Sequence, residues 1–160
     1  MNELTRITKQ LATFGVEFVV AGGLGSLIHG GSMMTQDVDV VCRLEPINLI
    51  RIFEAVQTMA PVHRMTPERL CFTREQAERG GLKTLYLSTT WGQLDCLGEI
   101  KGIGSYLECL ARSEAIVVDG MKIRVLSLDA LIEAKRAMGR PRDLHAVLEL
   151  EAIRERMAAQ

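Results

Sequence analysis

Apolar residues recur along this chain in two rhythms, one of three to four residues and one of two. From residue 3 to 14 they fall at Leu4, Ile7, Leu11 and Phe14, the spacing of an amphipathic helix that Gly15 ends. Val16 to Ala21 is an apolar, valine-rich run of the kind that makes a buried strand. Two glycines, Gly22 and Gly23, lead into a short segment, Leu24 to His29, with helical spacing at Leu24, Leu27 and Ile28. A second apolar strand, Val38 to Cys42, is entered through Asp37 and interrupted by Asp39. Pro46 then opens a strong helix, with proline placed where a first helical turn tolerates it. Residues 61–81 are less regular; the pattern predicts a helix across Pro67–Arg79, closed by Gly80-Gly81.

The second half alternates more often. Leu82 to Ser88 has β character, and Trp91 to Gly98 reads as its hairpin partner, turning near Ser88–Gly92. A short helix is predicted over Ser105–Ala111. Ala115–Val118 and Lys122–Val125 flank Asp119-Gly120, the strongest short hairpin signal in the chain. Ser127 is a good N-cap for a helix over 128–138, Gly139 ends it, and Pro141 starts the last helix.

Composition adds exclusions. The chain has 160 residues, 48% apolar and 24% charged, with a formal net charge of −1, which is ordinary for one globular domain spanning 1–160. There is no basic excess to mark a general nucleic-acid surface, and aromatics at 4% argue against a base-stacking platform. No apolar run approaches the length of a membrane span, and no charged-then-apolar leader opens the sequence. The four cysteines, Cys42, Cys71, Cys96 and Cys109, show no zinc spacing, and three sit in apolar runs. These features lead us to expect a cytoplasmic protein.

Candidate chemistry sits on three stretches. Strand side chains alternate, so Asp37 and Asp39 project to one face while Val38 and Val40 project to the other. Two carboxylates so close repel unless a cation neutralises them, and oxygen ligands of this kind suit Mg²⁺ or Mn²⁺. Gly22 and Gly23, lacking a Cβ, let backbone N–H groups approach a phosphate at a helix start. Their plainer reading is a glycine-rich turn beside a strand whose aspartates face water. Asp95 is the only charge in its apolar strand, and such a residue costs several kcal/mol unless paired or metal-bound. Were its strand beside that of Asp37 and Asp39, three carboxylates would converge as two-metal phosphoryl transfer requires; otherwise Asp95 caps a turn at an edge. The third stretch is Lys135-Arg-Ala-Met-Gly-Arg-Pro-Arg-Asp-Leu144, with four cations around a helix end. It suits a triphosphate, or equally a solvated basic turn whose Asp143 favours a helix N-terminus.

Gly22-Gly23, thirteen residues and then Asp37-Val-Asp39 resembles the signature of the nucleotidyltransferase fold shared with DNA polymerase β. Adding Asp95 and the element Lys135, Arg140, Arg142 and Asp143, the ordered set resembles the minimal nucleotidyltransferases related to the abortive-infection toxin AbiEii. That resemblance implies an α+β nucleotidyltransferase fold: a small mixed sheet centred on Val16–Ala21, Val38–Cys42 and Gln93–Leu97. Helices would pack on one face, and a C-terminal helical hairpin would close over the nucleotide side. It implies Asp37, Asp39 and Asp95 as catalytic metal ligands for Mg²⁺ or Mn²⁺, and Gly22, Gly23, Ser26, Lys135 and Arg140 as the nucleotide-binding set. The implied reaction moves an NMP group from an NTP to an acceptor hydroxyl on a tRNA end, a protein side chain or a small molecule. A cognate toxin–antitoxin protein would be a partner, and a membrane would not. The alternative is a catalytically weak binding partner of the same fold. Two departures bear on the choice: Leu24 stands where many relatives carry Ser or Thr, and Met33 and Met34 where relatives often carry an arginine.

Overall fold

The computed structural model describes residues 3–160. In chain order it contains α1 (Glu3–Thr13), β1 (Phe18–Ala21), α2 (Gly22–Ile28), β2 (Asp37–Cys42), α3 (Pro46–Val56), β3 (Val62–His63), α4 (Arg74–Arg79), β4 (Thr84–Thr89) and β5 (Gly92–Leu97). Then follow β6 (Glu99–Ile100), β7 (Gly104–Ser105), α5 (Tyr106–Ala111), β8 (Ser113–Val118), β9 (Met121–Leu126), α6 (Leu128–Met138) and α7 (Pro141–Ala158).

Seven strands form one mixed sheet in the order β3-β4-β5-β2-β1-β9-β8. β2 runs antiparallel to β1 and parallel to β5, so the three strands expected at the centre are there. The β8–β9 hairpin turns through Asp119 and Gly120, both at positive φ (51° and 79°), the twist-compatible geometry that an Asp-Gly pair favours.

Helices cover both faces of the sheet, not one. On the first face, Val38 and Val40 of β2 and Leu94 and Cys96 of β5 pack with Leu4, Ile7 and Leu11 of α1 and Leu49 and Ile52 of α3. On the second, Val19, Ala21, Val41 and Leu126 meet Tyr106 and Cys109 of α5, Leu131 and Ile132 of α6, and Val147, Leu150 and Ile153 of α7. The cause is local: all four residues of β1 are buried, so this central strand needs an apolar neighbour on each side. Each fully buried Leu or Ile contributes about 1.5–3 kcal/mol, which makes either layer sufficient to fix the sheet's register.

The helix expected across Pro67–Arg79 begins only at Arg74. Thr73 accepts from the Gln76 backbone N–H, and the Gln76 side chain accepts from the Thr73 backbone N–H, a reciprocal cap that sets the start. Upstream, Arg69 at φ 48° and a bridge between Cys71 and Val62 keep the segment irregular. The C-terminal hairpin forms as expected, with Gly139 in the left-handed conformation (φ 68°) between α6 and α7. Cys42, Cys96 and Cys109 are buried, Cys71 is exposed, and none is paired. Among the described residues no helix is long and apolar enough to cross a membrane.

Candidate functional site

Sheet register builds the site. β2 pairs with β5 so that Asp39 lies opposite Asp95 and Asp37 opposite Gln93. β4 then places Tyr86 opposite Asp95. Because alternate residues share a face, Asp37, Asp39, Asp95, Gln93 and Tyr86 all stand on the second face, beyond the part that α5, α6 and α7 bury. The sheet is thereby left open over its acidic row, and a cleft of about 1300 Å³ occupies that space.

The cleft gathers elements distant in sequence. Gly22 and Gly23 at the start of α2 line it, as do Ser26, Asp37, Asp39, Lys135 and Arg140. Asp95 lies beneath, 8% exposed, beside Asp39. All the residues proposed from sequence therefore meet in one region.

The glycine turn is built around the carboxylates. Gly22 has φ 59°, which L side chains rarely adopt, and a Cβ there would overlap the Asp39 carboxylate. A Cβ on Gly23 would stand 2.9 Å from Thr35 Oγ1. That hydroxyl in turn accepts from the Asp37 backbone N–H at 3.3 Å. Ala21, at the N-cap of α2, offers no side-chain acceptor to the first backbone N–H groups of the helix. Ser26 is a turn further on, and its hydroxyl donates back to the Gly22 carbonyl at 3.3 Å.

Electrostatics follow from crowding. Burial, then repulsion from Asp95 and Asp37, pushes the Asp39 carboxyl up to about 6, against the pull of Lys135 and Arg64. Burial likewise raises Asp95, while its hydrogen bond to Arg64 opposes the rise. Lys135 on α6 is lowered chiefly by burial, with Asp143 and Asp39 acting to restore its charge. Its ammonium thus reaches the acidic cleft from a stem on the packed side of the helix.

Arg140 is committed differently. Its Nε donates to Asp143 Oδ2 at 2.6 Å and its Nη2 to Asp143 Oδ1 at 3.2 Å. Asp143, 3% exposed, also accepts from the Arg140 backbone N–H. Arg140 therefore lines the cleft while its fork holds the first turn of α7.

Two residues escaped the sequence reading. Arg64, just after β3, donates through Nη2 to Asp95 Oδ1, and its backbone N–H bonds the Tyr86 carbonyl at 2.9 Å. Glu149 on α7 accepts from the Ser32 backbone N–H at 2.7 Å and from the Ser32 hydroxyl, tying the loop before β2 to the opposite wall. No periodic pattern or motif marks either partner.

The donor set suits a hard divalent cation: only carboxylate oxygens, two on one strand and one on its neighbour. Among the described residues, however, no three metal-ligating side chains converge on one point as they stand. One oxygen of Asp95 is turned to Arg64 instead.

No family model and no curated protein matches this chain. Among solved structures it is similar to a putative nucleotidyltransferase from Thermotoga maritima. The likeness covers 98% of this chain and 91% of that one, with 18% sequence identity and a TM-score of 0.52. At that identity the likeness is one of fold: the two chains share a mixed α+β arrangement.

Proposed function

We propose that this protein is a nucleotidyltransferase that moves an NMP group from an NTP to an acceptor hydroxyl. The observation that carries the proposal is the pairing of Asp39 with Asp95 in register, on the face shared with Asp37 and against the Gly22-Gly23 turn. A generic acidic strand would have no reason to press its carboxylate against a turn position that only glycine fits.

In this reading the acceptor oxygen bonds to the α-phosphorus, the bond from that phosphorus to the bridging oxygen breaks, and pyrophosphate leaves. Gly22 and Gly23 present backbone N–H groups to the triphosphate, and Lys135 adds a point charge at its edge. Asp95 takes up the proton of the acceptor hydroxyl. Mg²⁺ or Mn²⁺ held by Asp37, Asp39 and Asp95 would neutralise phosphate charge and acidify that hydroxyl. Arg140 contributes by fixing the α6–α7 corner.

A second reading has its own support. Leu24 is 2% exposed and buried in the core, so the position after the glycine pair offers no hydroxyl to a phosphate. Met34 is 93% exposed at the cleft rim, where it gives no charge. These features favour a weakly active member of the fold, retained as a partner in a toxin–antitoxin pair of the AbiEii kind that the motif order resembles.

Incubation with each α-labelled NTP, Mg²⁺ and whole-cell RNA or lysate separates the two. Transfer of label to a macromolecule or small acceptor, lost in Asp39→Asn, supports the enzyme. Stoichiometric association with a protein partner, with no label transferred by wild type, supports the second reading.

A further inference from the structure

Arg64 is the one cation that joins the acidic row from outside the motifs. The register row on the open face runs Asp39, Asp95, Tyr86, and the Arg64 backbone bond to Tyr86 extends it by one strand. From there the guanidinium passes the Tyr86 ring, 5.5 Å from its centroid, and meets Asp95 Oδ1 through Nη2. Both side chains are largely buried, so the pair is screened little by solvent.

The pair is incompletely made. A guanidinium satisfies a carboxylate best as a two-pronged fork, yet Arg64 gives Asp95 a single contact. Its Nε is the only buried side-chain nitrogen or oxygen without a hydrogen-bond partner among the described residues. The pair thus leaves one of the guanidinium's donors unused. By contrast, the Arg140–Asp143 pair uses both prongs. The single Asp95 contact is therefore one that another cation can replace.

We infer that Arg64 is an internal counter-ion for Asp95, which a divalent cation entering the site must displace. The inference rests on the reading of Asp37, Asp39 and Asp95 as metal ligands. A divalent cation and a guanidinium repel across one carboxylate, so a cation drawing on Asp95 weakens the Arg64 contact. Turning Asp95 away from Arg64 frees the oxygen that the acidic cluster lacks. The Tyr86 face keeps the released guanidinium near the cleft, at the cation–π distance it already occupies. Arg64 is in this sense a positioning residue: it acts on the site through Asp95.

The test is a calorimetric titration of Mn²⁺ into wild type, Asp39→Asn and Arg64→Gln, paired with NMR of the arginine guanidinium groups during a Mg²⁺ titration. Arg64→Gln keeps a hydrogen-bond donor near Asp95 and removes the charge. The expected result is Mn²⁺ binding lost in Asp39→Asn and tightened on the order of tenfold in Arg64→Gln. The slowly exchanging Arg64 N–H signals should be present without metal and lost at saturation. Wild-type binding that Asp39→Asn abolishes but Arg64→Gln leaves unchanged or weakens would overturn the counter-ion role alone, as would N–H signals that survive saturation. Binding in neither wild type nor Arg64→Gln overturns the metal reading and the counter-ion role with it. Binding in Arg64→Gln but not in wild type supports the displacement in its strongest form.

Discussion

Leu94 and Asp95 are neighbours on one strand and meet opposite surroundings. Leu94 points into the layer under α1 and α3 and is wholly buried among apolar side chains. Asp95 points to the other face, toward Asp39, Arg64 and the cleft. Val38 and Val40 stand in the same relation to Asp37 and Asp39 one strand away. One face of the sheet is thus closed and apolar; the other is apolar under α6 and α7 and acidic where those helices stop. The closed face carries the stability that lets the open face hold repelling, desolvated carboxylates.

The largest separation should come from substituting across that boundary. Asp39→Asn keeps shape and removes charge; it should lower nucleotidyl transfer by on the order of 10³-fold, the scale of losing a principal transition-state contact. Its urea midpoint should equal or exceed that of wild type, because a repelled carboxylate has been neutralised. Leu94→Ala should behave oppositely, costing about 2–5 kcal/mol in stability, with nucleotide affinity unchanged below the unfolding transition. Label-transfer assays and urea denaturation on both variants check the pair of outcomes.

A smaller effect is expected from pH. The Asp39 carboxyl sits at about 6 in the fold against an ordinary 3.8. Between those values the folded state binds more protons than the unfolded chain, so this group's stabilising contribution is fully present below 3.8. It is lost as pH rises through about 6. The loss should be on the order of 1–3 kcal/mol. Subtracting the pH dependence of Asp39→Asn from that of wild type isolates it; a difference that stays flat from pH 4 to 7 would remove the crowding account.

The smallest expected effects lie on the helical wall. Lys135→Met keeps the stem and removes the charge; it should weaken NTP binding by roughly tenfold and flatten its salt dependence. Arg140→Met should instead act mainly on the start of α7, because its fork is already held by Asp143. Equal loss of affinity in the two variants would show that the wall does not discriminate as described.

Much of this was legible from residue order. Alternation placed Asp37 and Asp39 on one face, and the cost of burying a lone Asp95 favoured a strand alongside over an edge position. The Asp119-Gly120 turn and the Ser127 cap followed from local chemistry. Coverage of both faces departs from the one-sided packing expected, and the signal that carries it is the valine-rich run of β1, buried on each side. Thr73-x-x-Gln76 carried the signal that moves the start of α4 to Arg74. Arg64 and Glu149 were not legible, because each meets a partner across the fold, 31 residues away for Arg64 and 117 for Glu149. Such pairings depend on register and loop path, which local pattern does not encode.

Whether the open acidic face binds a metal-bound triphosphate can be tested without knowing the acceptor. Calorimetry with Mn²⁺ and a non-hydrolysable α,β-methylene analogue of each NTP should give one site for at least one base. That site should be lost in Asp39→Asn and retained in Leu94→Ala at a temperature where the variant is folded. No binding of any analogue by wild type, or equal binding by wild type and Asp39→Asn, would contradict the account.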